Sequence, residues 1–277
     1  MKKHVFLSFL ISIICLNNTF SQTNNIKITT SLNTKTNELN IQQEIIFHNK
    51  STFDLNEIYL HNWPNAYRDK KTPLAKRFVE NYVKSFHFAK EKNRGATSIK
   101  SITANYSIVT WEITDESPDI LKVNLKNRLK PKDSVLITAT YKVKIPKDKY
   151  TRYGANTYSF NLKYWYLAPA VFNNKWFTYS NLDMDDLYID KSDYSISVKI
   201  PKNFVLNSDL IASKEIKDSI IEYTLFGKNK LDIALNITQQ NDFIEYNSYP
   251  VTISTDLNSS KLNNNTIRYS YIHSRFI

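Results

Sequence analysis

The stretch IYLHNWPNAYRD, residues 58–69, gathers residue types that chemistry often uses. His61 could ligate a metal or act as a general base, and Arg68 could clamp a substrate carboxylate. Asn62, Trp63 and Asn65 stand between them. The same residues also suit a strand that ends and turns a corner, with the aromatic ring packed and the asparagines in the turn. The segment alone leaves both readings open.

The rest of the chain offers His61 few partners. None of the five histidines (His4, His48, His61, His87, His273) has a second histidine or a cysteine at metal-ligand spacing. No H-E-x-x-H motif occurs, nor a G-x-S-x-G elbow, a P-loop or a G-x-G-x-x-G turn. LDMDDLYID concentrates Asp183, Asp185, Asp186 and Asp190. Alternating acids could hold calcium, but the glycine and closing glutamate of an EF-hand loop are missing, which favours a solvated acidic turn. The sequence therefore assigns no catalytic, cofactor-binding or metal-binding residue.

Aromatic residues crowd TYSFNLKYWYLAPAVFNNKWFTYS, residues 157–180, which holds Tyr158, Phe160, Tyr164, Trp165, Tyr166, Phe172, Trp176, Phe177 and Tyr179. Exposed, they would form a stacking platform for glycans. Buried, they would pack a seam between sheets, and their alternation with polar residues favours burial.

The elements that must position these residues are mostly strands. LNIQQEIIFHN puts Leu39, Ile41, Ile45 and Phe47 on one face and Asn40, Gln42 and His48 on the other. SVLITATYKVKIP alternates in the same way, as do LKVNLK, DYSISVKIP, SIIEYTLF and KLDIALNITQ. Short half-buried strands in this number predict an all-β fold of antiparallel sheets packed face to face as a sandwich. With only three glycines, the turns must rely on Asn, Asp and Lys-Asp pairs. One insertion breaks the pattern. In TPLAKRFVENYVKSFHFAKEK, residues 72–92, Leu74, Phe78, Tyr82 and Phe86 recur every four positions beside Val79 and Val83. Thr72 fits an N-cap and Pro73 the first helical position, which predicts a single amphipathic helix with His87 near its C-terminal end. TIRYSYIHSRFI, at the end of the sequence, again has helical spacing through Ile267, Tyr271, Ile272 and Phe276.

Lys2 and Lys3, the apolar run VFLSFLISIICL and Thr19-Phe20-Ser21 read as a signal peptide cleaved near Ser21. Cys15 invites a lipoprotein reading, but Ile14 stands where a small residue is needed, so simple secretion is preferred. The expected product is extracytoplasmic, periplasmic or secreted, with no other run approaching the roughly 18 apolar residues of a membrane span. It would contain no cysteine and so depend on its core. The net charge of +11 comes from scattered lysines, which suits a solvated surface and not a nucleic-acid stripe.

The order of segments is similar to that of a known family. NIKITTSLNTKTNELNIQQEIIFHN leads to LNEIYLHNWPNAYRD and TPLAKRF, then to NRLKPKDSVLITATYKVKIP, YWYLAPAVFNNKWFTYSNLDMDDLY and SDYSISVKIPKNFVLNSD. This resembles the N-terminal β-domain of the aminopeptidase N-like zinc metallopeptidases (gluzincins), especially the secreted kind of Bacteroidetes bacteria. YLHNWPNAYR and YWYLAPAVF are its most specific pieces, and it covers roughly residues 25–277. The resemblance implies a saddle-shaped β-sandwich over residues 22–258 that packs against a thermolysin-like catalytic domain and shapes the substrate cleft. It also implies that His61 is a strand-end residue, Trp63-Pro64 a packing corner and Asn65 a turn former. The family's zinc ligands and its G-x-M-E-N motif lie in the catalytic domain, and neither motif occurs here. Residues 259–277 look like the opening helix of that domain, so the expected partner is a missing or separately encoded catalytic domain, together with peptide substrate. The alternatives are a stand-alone module binding glycan or peptide through residues 157–180, or a non-functional remnant.

Overall fold

The computed structural model describes residues 23–151, 153–182, 187–239, 244–248 and 251–255. The expected signal peptide, Asp183, Asp185, Asp186 and the expected C-terminal helix lie outside the described residues. The first strands are β1 (Asn24–Asn33), β2 (Glu38–His48), β3 (Leu55–His61), β4 (Ala96–Ala104), β5 (Ser107–Ile108), β6 (Trp111–Glu112), β7 (Ile120–Leu129) and β8 (Ser134–Lys144). Short ones follow: β9 (Gly154–Ala155), β10 (Ser159–Leu162), β11 (Ala168–Pro169), β12 (Val171–Asn173) and β13 (Lys175–Phe177). The last are β14 (Ser192–Pro201), β15 (Val205–Ser208), β16 (Ile211–Lys217), β17 (Ile220–Lys230), β18 (Leu235–Thr238), β19 (Ile244–Ser248) and β20 (Val251–Thr255).

Eight of these build one large sheet in the order β16-β17-β14-β1-β2-β8-β4-β5. Two four-stranded sheets, β15-β18-β10-β9 and β11-β3-β7-β6, and the hairpins β12-β13 and β19-β20 complete the strands. Side-chain alternation dictates the layering. On β1 and β2, Ile26, Ile28, Leu39, Ile41, Ile45 and Phe47 turn inward, while Lys27, Thr29, Asn40 and Gln42 face solvent. One apolar cluster joins the inner face of the large sheet to Ile58 and Leu121 of one small sheet and to Phe160 and Ile237 of the other. The fold is thus an all-β sandwich. The antiparallel expectation needs one correction: β1 runs parallel to β14, from Asn24 opposite Ser192 to Ser31 opposite Lys199. Many turns use the expected residues, with Asn37, Asn105, Lys132, Asn174, Asp218 and Asn229 at positive φ in place of glycine.

The inserted helix is shorter than its periodicity predicts. Helix α1 covers only Pro73–Glu80, with the Thr72 hydroxyl capping the Ala75 N–H. It ends in a Schellman motif: Tyr82 N–H donates to the Val79 carbonyl and Val83 N–H to the Phe78 carbonyl, with Tyr82 at φ 61°. The chain then doubles back, so Phe86 meets the Phe78 ring at 5.6 Å from a turn and not from a continuing helix. Leu74, Phe78 and Phe86 are buried, whereas Tyr82 is 87% exposed.

Trp165 has no exposed surface and packs edge-to-face on Tyr166. Trp176, expected to be equally enclosed, is only half-buried against Phe47, Tyr59 and Phe172. Trp165→Ala should therefore destabilise the protein by about 3–5 kcal/mol. Urea unfolding checks this, and an unchanged midpoint would mean that the ring is not enclosed.

Candidate functional site

The Ile58–Asp69 segment closes β3, then turns through a short 3-10 helix, Trp63–Tyr67, with Pro64 in its first turn. His61 is 1% exposed, and its Nε2 accepts the backbone N–H of Tyr179 at 3.2 Å. The proton of the neutral ring must then sit on Nδ1. Nδ1 has no well-formed hydrogen bond, although the Ala168 backbone offsets part of the effect of burial. Burial lowers the His61 pKa to about 4. With one nitrogen engaged and the other protonated, the imidazole has no lone pair to offer a metal and is a poor general base.

Its neighbours are committed in the same way. Asn62 donates its N–H to the Asp119 carbonyl (2.7 Å), and its side-chain oxygen accepts the Thr97 hydroxyl (2.7 Å). Trp63 donates from Nε1 to the Tyr179 carbonyl (2.9 Å), and its ring meets Tyr164 edge-on. Asn65 lies in the turn, as expected, with its N–H donating to the Asn62 carbonyl (2.9 Å), and its side chain also bridges two segments. It donates to the Pro118 carbonyl (2.6 Å) and accepts the Thr97 N–H (3.0 Å). Arg68 is no free clamp, since it donates to Asp69 (3.0 Å) and Asp115 (2.7 Å).

The aromatic stretch divides. Phe160, Tyr164, Trp165 and Tyr166 are buried, while Tyr158 and Tyr179 are about half exposed. The Tyr166 and Tyr194 hydroxyls share a hydrogen bond of 2.9 Å, and Tyr194 donates to the Leu231 carbonyl. Two polar residues that the sequence reading did not single out hold this region. Gln43 donates to the Leu167 carbonyl (2.7 Å) and accepts the Leu167 N–H (3.2 Å), with the Tyr141 hydroxyl donating to the same glutamine oxygen. Asp119, fully buried, accepts the Asn181 N–H (2.6 Å) and the Ser180 hydroxyl (2.9 Å). Burial raises the pKa of Asp119, and these hydrogen bonds act against the shift. Gln43 was discoverable: it lies in phase with Ile41 and Ile45, on the face that alternation marks as buried.

Among the described residues no three His, Cys, Asp or Glu side chains come close enough to hold a metal ion. The described residues therefore offer no ligand set for zinc, the metal of the family that the sequence resembles. Of the four aspartates in the acidic turn Asp190 is described, and it accepts from Lys50 at 2.9 Å. The open face of the large sheet carries a hollow of about 440 Å³ near Thr29, Asn40, Gln42, Thr140 and Lys142, with no carboxylate in its lining for acid–base work. No helix among the described residues is long and apolar enough to cross a membrane.

No protein-family model matches the sequence, and no curated protein matches it. Among solved structures, the chain is similar to an M1 zinc metallopeptidase from Deinococcus radiodurans, with a TM-score of 0.47 and 9% sequence identity. A mutant of that enzyme gives a TM-score of 0.49 at the same identity. Both matches cover 84% of this chain, which spans only 46% of theirs. An aminopeptidase N family protein from Idiomarina loihiensis matches with a TM-score of 0.44 and 10% identity, over 83% of this chain and 32% of its own.

The His61 environment has a pH signature. Its folded pKa lies below the ordinary 6.5, so the unfolded chain takes up the proton first. The stability contributed by the neutral ring is present above about pH 6.5 and is lost as pH falls towards 4, up to roughly 3 kcal/mol. Asp232 works in the opposite sense: burial raises its pKa to about 6, so stability is gained as pH falls below 6. The wild type should therefore lose stability relative to His61→Gln between pH 7 and 4, as read by paired urea titrations. A difference that does not change with pH would contradict the burial of a neutral imidazole.

Proposed function

We propose that this chain is the non-catalytic N-terminal β-domain of a secreted zinc aminopeptidase-like protein, and that it shapes one side of a substrate cleft formed with a catalytic domain. Zinc and the peptide-cleaving groups belong to that partner domain. The chain reaches its place after removal of a signal peptide near Ser21.

The observation that carries the reading is how the two most specific pieces of the sequence resemblance meet. YLHNWPNAYR and YWYLAPAVF pair directly as β3 and β11, with His61 opposite Ala168 and Leu60 opposite Pro169. Each polar side chain of the HNWPN stretch makes at least one hydrogen bond that holds a neighbouring segment, and the two atoms left over, His61 Nδ1 and Asn62 Nδ2, are buried. A framework role accounts for that pattern, whereas a catalytic role would leave a donor or acceptor aimed at open space. A glycan platform is less favoured, because Tyr164, Trp165 and Tyr166 are inside.

The chain alone should hold no stoichiometric zinc and release no product from aminoacyl anilides. Metal analysis and a chromogenic assay check both. Zinc at one per chain, removed by a chelator together with activity, would overturn the proposal. Reading the DNA beyond the Ile277 codon for H-E-x-x-H tests the partner domain, and a genome with no such motif encoded nearby would also count against it.

A further inference from the structure

The strongest unexplained surface is the turn that ends helix α1. Every residue from Val79 to Ser85 is exposed, so this stretch stands out from the sandwich. Val79 and Val83 are 47% and 40% exposed, Tyr82 87% and Phe88 76%. The contact between the Phe78 and Phe86 rings, 5.6 Å apart, fixes the two ends of the loop against each other. Tyr82 occupies the left-handed position of the Schellman motif, where glycine is the default and an L side chain is strained. A strained backbone that holds an aromatic ring in solvent is not explained by stability.

The surrounding charge has one sign. Between residues 69 and 94 the sequence has eight lysines and arginines against Asp69, Glu80 and Glu91. Glu80 is paired with Arg77 at 3.4 Å, while Lys76 and Lys84 make no ion pair among the described residues. Exposed apolar and aromatic side chains in a lysine-rich segment are what an interface between water and an anionic bilayer accepts. We propose that this loop docks the protein peripherally on a membrane surface containing anionic lipid, with Tyr82, Val83 and Phe88 entering the headgroup layer.

Charge disfavours the other occupants. A second copy would bring basic against basic. Residues 256–277 are themselves basic, with Lys261, Arg268 and Arg275 against Asp256. A protruding loop also offers no groove to receive a partner's side chain. This inference does not depend on the aminopeptidase reading.

Co-sedimentation of the full chain with phosphatidylcholine vesicles, with and without about one quarter phosphatidylglycerol, is the test. Binding should require the anionic lipid and weaken as salt is raised. Each basic residue near such a surface is worth about fivefold in partitioning, so Lys76→Glu with Lys84→Glu should cut binding at least 25-fold. Tyr82→Gly with Phe88→Ser should cut it tenfold or more, while Tyr82→Gly alone raises the melting temperature by relieving the backbone. Absent binding, equal binding to neutral vesicles or unchanged binding by the variants would overturn the proposal. So would a lower melting temperature for Tyr82→Gly, which would place the ring in a protein contact.

Discussion

A glutamine side chain stands among the mostly apolar residues on the inner face of the large sheet and acts as a peptide group. Gln43, 1% exposed on β2, exchanges two hydrogen bonds with the backbone of Leu167, and the Tyr141 hydroxyl on β8 adds a third contact. Leu167 belongs to no strand, so without Gln43 and Tyr141 its N–H and carbonyl would be buried without partners. Leaving either group unsatisfied costs about 1–3 kcal/mol. The pairing fixes where the YWYLAPA segment crosses the large sheet. That position in turn sets Trp165 in the core, Tyr166 against Tyr194, and Ala168 beside His61.

The segment that looked most like a catalytic site follows from this constraint. Once Ala168 and Pro169 pair with β3, the chain returning through Tyr179 to Asn181 passes His61, Trp63 and Asp119, and each supplies it with one hydrogen bond or more. Asn62 and Asn65 bind the same corner to Thr97 at the start of β4. Polar side chains are useful here because the corner is buried and its backbone groups lie outside regular ladders. The resulting network joins the small β11-β3-β7-β6 sheet to the large one.

Much of this was legible in the sequence. Alternation placed the inner and outer faces of β2 and β8 correctly, because half-buried strands impose period two on composition. The scarcity of glycine pointed to the Asn and Asp turns. Three features were not read. The parallel pairing of β1 with β14 joins segments far apart in sequence, and no local pattern encodes such a register. Helix α1 was extended too far because Tyr82 and Phe86 keep helical spacing while a Schellman turn reverses the chain. No glycine marked that stop. Asn65 is in the turn that its type suggests, but the reach of its side chain to Pro118 and Thr97 is set by tertiary contacts alone.

The most direct measurement of this account is native-state hydrogen exchange at the Leu167 amide. If Gln43 and Tyr141 hold that group inside the sandwich, its exchange should require near-global unfolding and match the slowest amides of β2 and β8. Exchange at the rate of an open loop, while those strands stay protected, would contradict the account.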